Sequence, residues 1–243
     1  MEIIKQKIIN NCREILDCEI NKNGKLTKKY TILILHALTG NKENKTINFL
    51  AKNIPTYGYP TILFDFSGHG KSEGKLEEAT VSKQLEDIKI ILDKIKKVNT
   101  KKIIIIGNSF SVITALAFSI NNPVVKGLIL LSGRAKYLDY IKNLEIINGK
   151  YKIIEDKFID KSFIEDYKKY NPLENIMSLN IPVLIIHGDK DETVPVSNAH
   201  LFYEKSLSKK KFLKIIKGAN HKYSDIKFKE KVLNEIKEYL DKL

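Results

Sequence analysis

Cysteine, arginine and long hydrophobic runs are what this 243-residue chain has least of. Its cysteines are Cys12 and Cys18 alone. They make neither a disulfide framework nor a C-x-x-C metal spacing, so a thiol-tolerant cytoplasmic setting is expected. No stretch approaches the roughly 18 uninterrupted apolar residues of a membrane span. The opening Met1-Glu2-Ile3-Ile4-Lys5 lacks the basic region and apolar run of a signal peptide. The glycines form neither a phosphate loop nor a dinucleotide fingerprint, and no ligand cluster carries zinc spacing. Neither cofactor nor metal is expected.

The formal net charge of +13 invites a nucleic-acid reading, but Arg13 and Arg134 are the only arginines. A surface that reads phosphates clusters its charge and favours arginine, whose planar fork binds two oxygens at once. Here the lysines scatter through every segment. The densest runs, Lys209-Lys210-Lys211 and Lys101-Lys102, sit just before apolar stretches and read as solvated loop ends. The charge is diffuse and solubilising, and no nucleic-acid partner is expected.

What is present is a globular composition, 43% hydrophobic and 29% charged, in a chain long enough for one α/β domain. Alternation over residues 1–22 predicts a leading antiparallel hairpin, and Asn23-Gly24 is a turn signal. Short, solidly apolar runs follow at Thr31–Leu35, Pro60–Phe64, Ile103–Ile106, Gly127–Leu131, Val183–Ile186 and Phe212–Ile216. Unbroken apolarity suits strands covered on both faces, hence a mostly parallel sheet. Between them Val81, Leu85, Ile88, Leu92 and Ile95, and later Ile226, Val232, Leu233, Ile236 and Leu240, recur at helical spacing. The alternation predicts a doubly wound α/β sandwich over residues 1–243. One segment breaks the rhythm. At about 134–178 the chain is rich in Lys, Tyr and Ile, and Asn148-Gly149 marks a small hairpin that a helix should follow. It is too long for a connection and is read as a lid-like insertion.

Candidate chemistry begins at Gly107-Asn108-Ser109-Phe110-Ser111, between an apolar run and a helical pattern. In a nucleophile elbow a serine occupies such a strand-to-helix turn, flanked two residues away on each side by small residues. The Phe110 N–H, at the helix start, would face a developing oxyanion. Ser109 as a plain helix N-cap is the competing reading. A serine hydroxyl needs a base. His221, in the Gly-Ala-Asn turn after the run Phe212–Ile216, lies where sites of parallel sheets assemble. An orienting carboxylate should fall between the two in sequence, and both Asp189 and Asp191 in "HGDKDETVP" qualify. The small-residue turn after "TILILH" offers a candidate for a second oxyanion donor, the Leu38 N–H, with a simple β-to-α loop as the competing reading.

"LHALTGNK", "FDFSGHGKSEG", "IIGNSFS", "IIHGDKDETVP" and "KGANH" together resemble the α/β-hydrolase superfamily. The resemblance is closest to small microbial cinnamoyl/feruloyl esterases and monoacylglycerol-lipase-like esterases. It spans nearly the whole chain and is weakest over 134–178. It implies an α/β-hydrolase fold in which Asp191 rather than Asp189 is the catalytic carboxylate and His221 the base. Leu38 and Phe110 correspond to the family's oxyanion amides. Asp65 and His69 match a supporting loop and are read as structural, as are His36 and His187. Two positions depart from the family: His36-Ala37 stands for H-G, and Ser111 for the second glycine of G-x-S-x-G.

The expected function is carboxylic-ester hydrolysis through Ser109, His221 and Asp191, on a small-molecule ester with a small acyl or aromatic, cinnamoyl-type group. A thioesterase, amidase or peptidase on the same scaffold is the alternative, as is a non-catalytic binding protein. The reading leaves a homodimer open.

Overall fold

The computed structural model describes residues 1–24, 29–136 and 140–243. Strands β1 (Glu2–Ile9) and β2 (Ile15–Lys22) form the expected antiparallel hairpin. Its turn falls at Asn10–Glu14, where Asn10 Oδ1 accepts from the N–H groups of Cys12 and Glu14. The Asn23-Gly24 signal borders residues outside the description.

An eight-stranded sheet runs β1-β2-β4-β3-β5-β6-β10-β11. Its other strands are β3 (Thr31–Leu35), β4 (Thr61–Phe64), β5 (Ile103–Asn108), β6 (Val125–Leu131), β10 (Val183–Gly188) and β11 (Lys211–Ile216). From β4 to β11 every pairing is parallel, and only β1 and β2 run against their neighbours. Each apolar run named above falls in one of these strands, apart from Pro60, which lies just before β4. Alternate residues face opposite layers: Ile103 and Ile105 join one buried cluster, Ile104 and Ile106 the other. Fully burying a side chain of this size contributes about 1.5–3 kcal/mol, which favours unbroken runs of isoleucine and leucine in the central strands.

Helices α1 (Lys45–Asn53) and α7 (Ile226–Asp241) cover one face. Helices α2 (Val81–Lys94), α3 (Ser111–Ser119) and α6 (Ser197–Lys205) cover the other. The starts of α1, α2 and α7 are capped by the side chains of Asn44, Thr80 and Asp225, each accepting from a first-turn N–H. Among the described residues no helix is long and apolar enough to cross a membrane.

After β6 the chain leaves the sheet. The lid-like insertion expected at 134–178 includes residues 137–139, which lie outside the description. Its remainder holds a separate antiparallel sheet, β7 (Ile146–Ile147), β8 (Lys150–Ile154) and β9 (Lys157–Ile159). Helices α4 (Lys161–Tyr167) and α5 (Pro172–Met177) follow. The Asn148-Gly149 turn has both residues at positive φ, 50° and 77°, the geometry that turn pair favours. A hairpin with one helix was expected; the additional β9 is three residues long, too short to leave a pattern in the sequence.

Candidate active site

The carboxyl ends of β3, β5, β10 and β11 open into one cavity of about 380 Å³, lined by Leu38, Ser109, Phe110 and His221 among others. β5 ends in the Gly107–Ser111 turn that carries the candidate nucleophile. Gly107 must lack a side chain, because a Cβ there would stand 2.9 Å from Ser111 O and from Val112 Cα. Ser109 itself is left-handed, φ 56°, a conformation that costs a non-glycine residue about 1–2 kcal/mol. Its N–H donates to Leu131 O of β6 at 2.8 Å. The Ser109 hydroxyl does not cap α3. It lies 3.1 Å from His221 Nε2.

Ser111, which replaces the second glycine of the motif, has a specific structural part. Its Oγ accepts from Asn108 N–H at 2.9 Å and donates to Leu35 O at 2.9 Å, and it is fully buried. One hydroxyl therefore ties the Ser109 turn to the end of β3, from which the Leu38 loop departs.

His221 Nδ1 is 2.7 Å from Asp191 Oδ2. With the proton on Nδ1, donated to the carboxylate, Nε2 is left to accept from Ser109; that tautomer follows from the hydrogen-bond partners. Asp191 Oδ1 also accepts from the N–H groups of Thr193 (2.9 Å) and Val194 (2.7 Å). A further donor was not anticipated. His187, fully buried at the end of β10, places Nε2 3.0 Å from Asp191 Oδ2 and 2.9 Å from Val194 O. Burial raises the Asp191 pKa, but the hydrogen bonds from His187, His221 and Val194 N–H outweigh it and hold the carboxyl well below the usual range. The sequence signal for His187 was present: it stands four residues before the candidate carboxylate, at a strand end.

Asp189 is occupied elsewhere, accepting from Gly218 N–H at 2.5 Å. That bond and Lys190 N–H to Ala219 O (3.0 Å) lace the Asp191 loop to the His221 loop. A Cβ on Gly188 would lie 2.2 Å from Ala219 O, so the two loops meet only over glycine. The His221 loop is fixed again by Thr46 Oγ1 donating to Lys222 O (2.6 Å) and by buried Tyr223, whose hydroxyl is 2.8 Å from Ser132 Oγ.

The Leu38 loop is held through its carbonyls. His36 Nδ1 and Gly40 N–H meet Ala37 O at 2.8 and 2.9 Å, His69 Nε2 meets Leu38 O, and Lys157 Nζ donates to Thr39 O at 2.8 Å. Burial pushes the His36 pKa down to about 3, so its ring is neutral and its Nε2 accepts from Phe66 N–H at 3.1 Å. Asp65, buried beneath this loop, accepts from the N–H groups of Lys42 and Lys71 and pairs with Lys42 Nζ at 2.9 Å. Asp65, His69 and His36 thus brace the loop from below.

A sheet of this order, with a serine in a strained turn after its central strand β5 and a histidine and carboxylate on later loops, defines a hydrolase scaffold. A family model described as alpha/beta hydrolase fold matches residues 30–152, and the chain belongs to that family. A second model, serine aminopeptidase S33, matches residues 170–224. The chain is 25% identical to the mitochondrial palmitoyl-protein thioesterase ABHD10 of Rattus norvegicus over 87% of its own length and 75% of the relative's. It spans 65% of the human protein of that name. Among solved structures, Est1E from Butyrivibrio proteoclasticus with ferulic acid bound aligns with a TM-score of 0.85 at 24% identity, over 97% of this chain and 98% of the other. Mouse alpha/beta hydrolase domain-containing protein 10 aligns at 0.82 and 22%, over 98% and 99%. At these identities the structural likeness shows the fold, and the protein is an α/β hydrolase by that fold.

Proposed function

We propose that the chain hydrolyses carboxylic esters through an acyl-enzyme, with Ser109 as nucleophile, His221 as base and then acid, and Asp191 as the group that orients His221. Ser109 Oγ attacks the carbonyl carbon while its proton passes to His221 Nε2. The tetrahedral oxyanion is stabilised by the N–H groups of Leu38 and Phe110, each worth roughly 3 kcal/mol of transition-state stabilisation. Collapse expels the alcohol, which takes the proton from His221. Water, activated by the same imidazole, then releases the acid. The observation that carries this reading is the unbroken series Ser109 Oγ to His221 Nε2 (3.1 Å) and His221 Nδ1 to Asp191 Oδ2 (2.7 Å), mounted on a serine at φ 56°.

The cavity wall is mixed, polar at Arg134, Glu192 and Lys222 and apolar at Leu38, Phe110, Tyr140, Ile153, Ile154 and Val194. Its apolar part supports a small acyl or aromatic group, and the residues from the 134–178 insertion in it support the reading of that segment as a lid. The thioesterase relatives favour a second reading, in which the same steps expel a thiol. A matched panel of esters and thioesters separates the two. The first test is hydrolysis of short-acyl p-nitrophenyl esters. Ser109→Ala is expected to lower kcat by roughly 10⁴–10⁶, and equal activity in the two proteins would sink the mechanism.

A further inference from the structure

We infer that the substrate carries a carboxylate and that Arg134 binds it. This rests on the ester-hydrolase reading and narrows its substrate class. The chain has 42 lysines and arginines but only Arg13 and Arg134 are arginine. Arg13 lies on the exposed turn of the β1–β2 hairpin. Arg134 stands in the wall of the cavity that holds Ser109. It leaves β6 just after Leu131, the residue whose carbonyl accepts the Ser109 N–H, so it emerges next to the nucleophile turn.

The guanidinium is fixed before any ligand arrives. Nη2 donates to Thr193 O at 2.6 Å, and Cζ sits 4.6 Å from the centre of the Tyr140 ring. The backbone behind it is anchored by Ala135 N–H donating to Asn198 Oδ1 at 2.9 Å. A guanidinium has five N–H donors in a planar fork. Among the described residues Arg134 gives one bond, to Thr193, and has no carboxylate within 4 Å. The other cation of the lining is exposed Lys222, and the lining's carboxylate is Glu192, which accepts the His221 N–H at 3.4 Å. Asp191 below is saturated by its own donors. Arg134, a partly exposed residue with its guanidinium over the Tyr140 ring, has no anion partner among the described residues, and a carboxylate matches its fork with two parallel hydrogen bonds. Lysine, used for charge elsewhere in this chain, offers no such fork.

Two pairs of esters test this. In the first the acyl group ends in a carboxylate or in the matching carboxamide: p-nitrophenyl hydrogen glutarate against its monoamide. In the second the charge is on the alcohol: the acetyl ester of 4-hydroxybenzoate against that of 4-hydroxybenzamide. In one pair the wild type is expected to favour the anion by roughly 10- to 100-fold in kcat/KM, the value of hydrogen bonds to a charged group; the pair that responds tells which side carries the charge. Arg134→Gln should bring that ratio to about one and Arg134→Lys should leave it between. Raising the salt concentration should compress the wild-type ratio, a readout that does not depend on a variant folding. Neutral esters turned over at the same rate as their anionic partners in both pairs would overturn the anion inference alone. A preference that survives Arg134→Gln in folded protein would overturn the role of Arg134. If no ester of either pair is hydrolysed, the ester-hydrolase reading falls, and this inference with it.

Discussion

At the carboxyl edge of the sheet, side chains are held by backbone. Ser109 is set by the φ of its own turn and by Leu131 O, and Asp191 by two amides and two imidazoles. The insertion above it is held by side chains. No residue of β7 or β8 is fully buried. The segment is tied down by Asp166 accepting from Ser82, by Lys150 reaching Glu77 at 3.2 Å and by Lys157 donating to Thr39 O. It also packs a cluster of its own, in which Phe163 and Tyr167 of α4 meet Phe110 at ring distances of 5.4 and 6.0 Å, with Leu38 in the same cluster. The two residues proposed to stabilise the oxyanion through their amides therefore give their side chains to the core of the insertion. The sheet edge and the insertion are separate in how they are built, yet they share these two positions.

The largest effect should come from the edge. Asp191→Asn keeps the shape but presents an amide to His221, and kcat is expected to fall by roughly 10⁴ because the imidazole takes the wrong tautomer. Steady-state hydrolysis of a short ester measures it; a loss under tenfold would mean that Asp191 does not orient His221. The same variant has a pH signature. Asp191 is held below the ordinary carboxylate pKa of about 3.9, so its contribution to stability is present above that value and is lost as pH falls toward the folded-state pKa. The stability gap between wild type and Asp191→Asn should be constant near neutrality and close as pH drops below about 4. Buried neutral His36 acts in the same direction in both proteins, over the higher window from about 6.5 down to about 3, so it cancels in the difference. Urea titrations at several pH values would show this.

The next prediction is aimed at the shared positions. Phe110→Ala removes a ring that is 6% exposed, and a truncation of this kind costs about 3–5 kcal/mol. If the insertion and the oxyanion loop are coupled through this cluster, kcat should fall together with stability, and amide exchange should rise in β9 and α4 as well as in α3. Faster exchange confined to α3 would mean that insertion and edge are independent.

The edge was legible in the sequence for a reason the insertion was not. The runs at β3, β5, β10 and β11 place their following loops on one side of the sheet by parallel topology alone, so the chain order of Ser109, Asp191 and His221 already implied a meeting. The hairpin turn at Asn148-Gly149 was legible because a turn is local chemistry. What stayed hidden depends on partners distant in sequence. His187 stood four residues before the candidate carboxylate and was read as structural, and its bond to Asp191 exists only once the following loop folds back. The packing of Phe163 and Tyr167 on Phe110 joins segments more than fifty residues apart with no shared period. Asp191 and Asp189 could be told apart only through the family pattern, since both sit in the same turn and the deciding contacts come from other loops.

Ser111 separates sequence from structure most sharply, with the smallest effect. By motif alone, Ser111→Gly restores G-x-S-x-G and should be neutral or better. In the structure the same change leaves the Asn108 N–H and the Leu35 carbonyl without their partner. A buried group stranded in this way costs about 1–3 kcal/mol, and glycine within the helix adds roughly 0.5–1 kcal/mol relative to alanine. The expected order of stability in urea is therefore wild type, then Ser111→Ala, then Ser111→Gly, with unchanged denaturant slopes. Gly107 cannot accept a Cβ, because it would strike the Ser111 carbonyl. Ser111 can carry one, and its hydroxyl takes up two polar groups of the buried turn. A Ser111→Gly protein as stable as wild type would reduce Ser111 to a small residue that merely fits. A destabilised one would show that this chain holds its Ser109 turn to β3 with a hydroxyl where the motif has hydrogen.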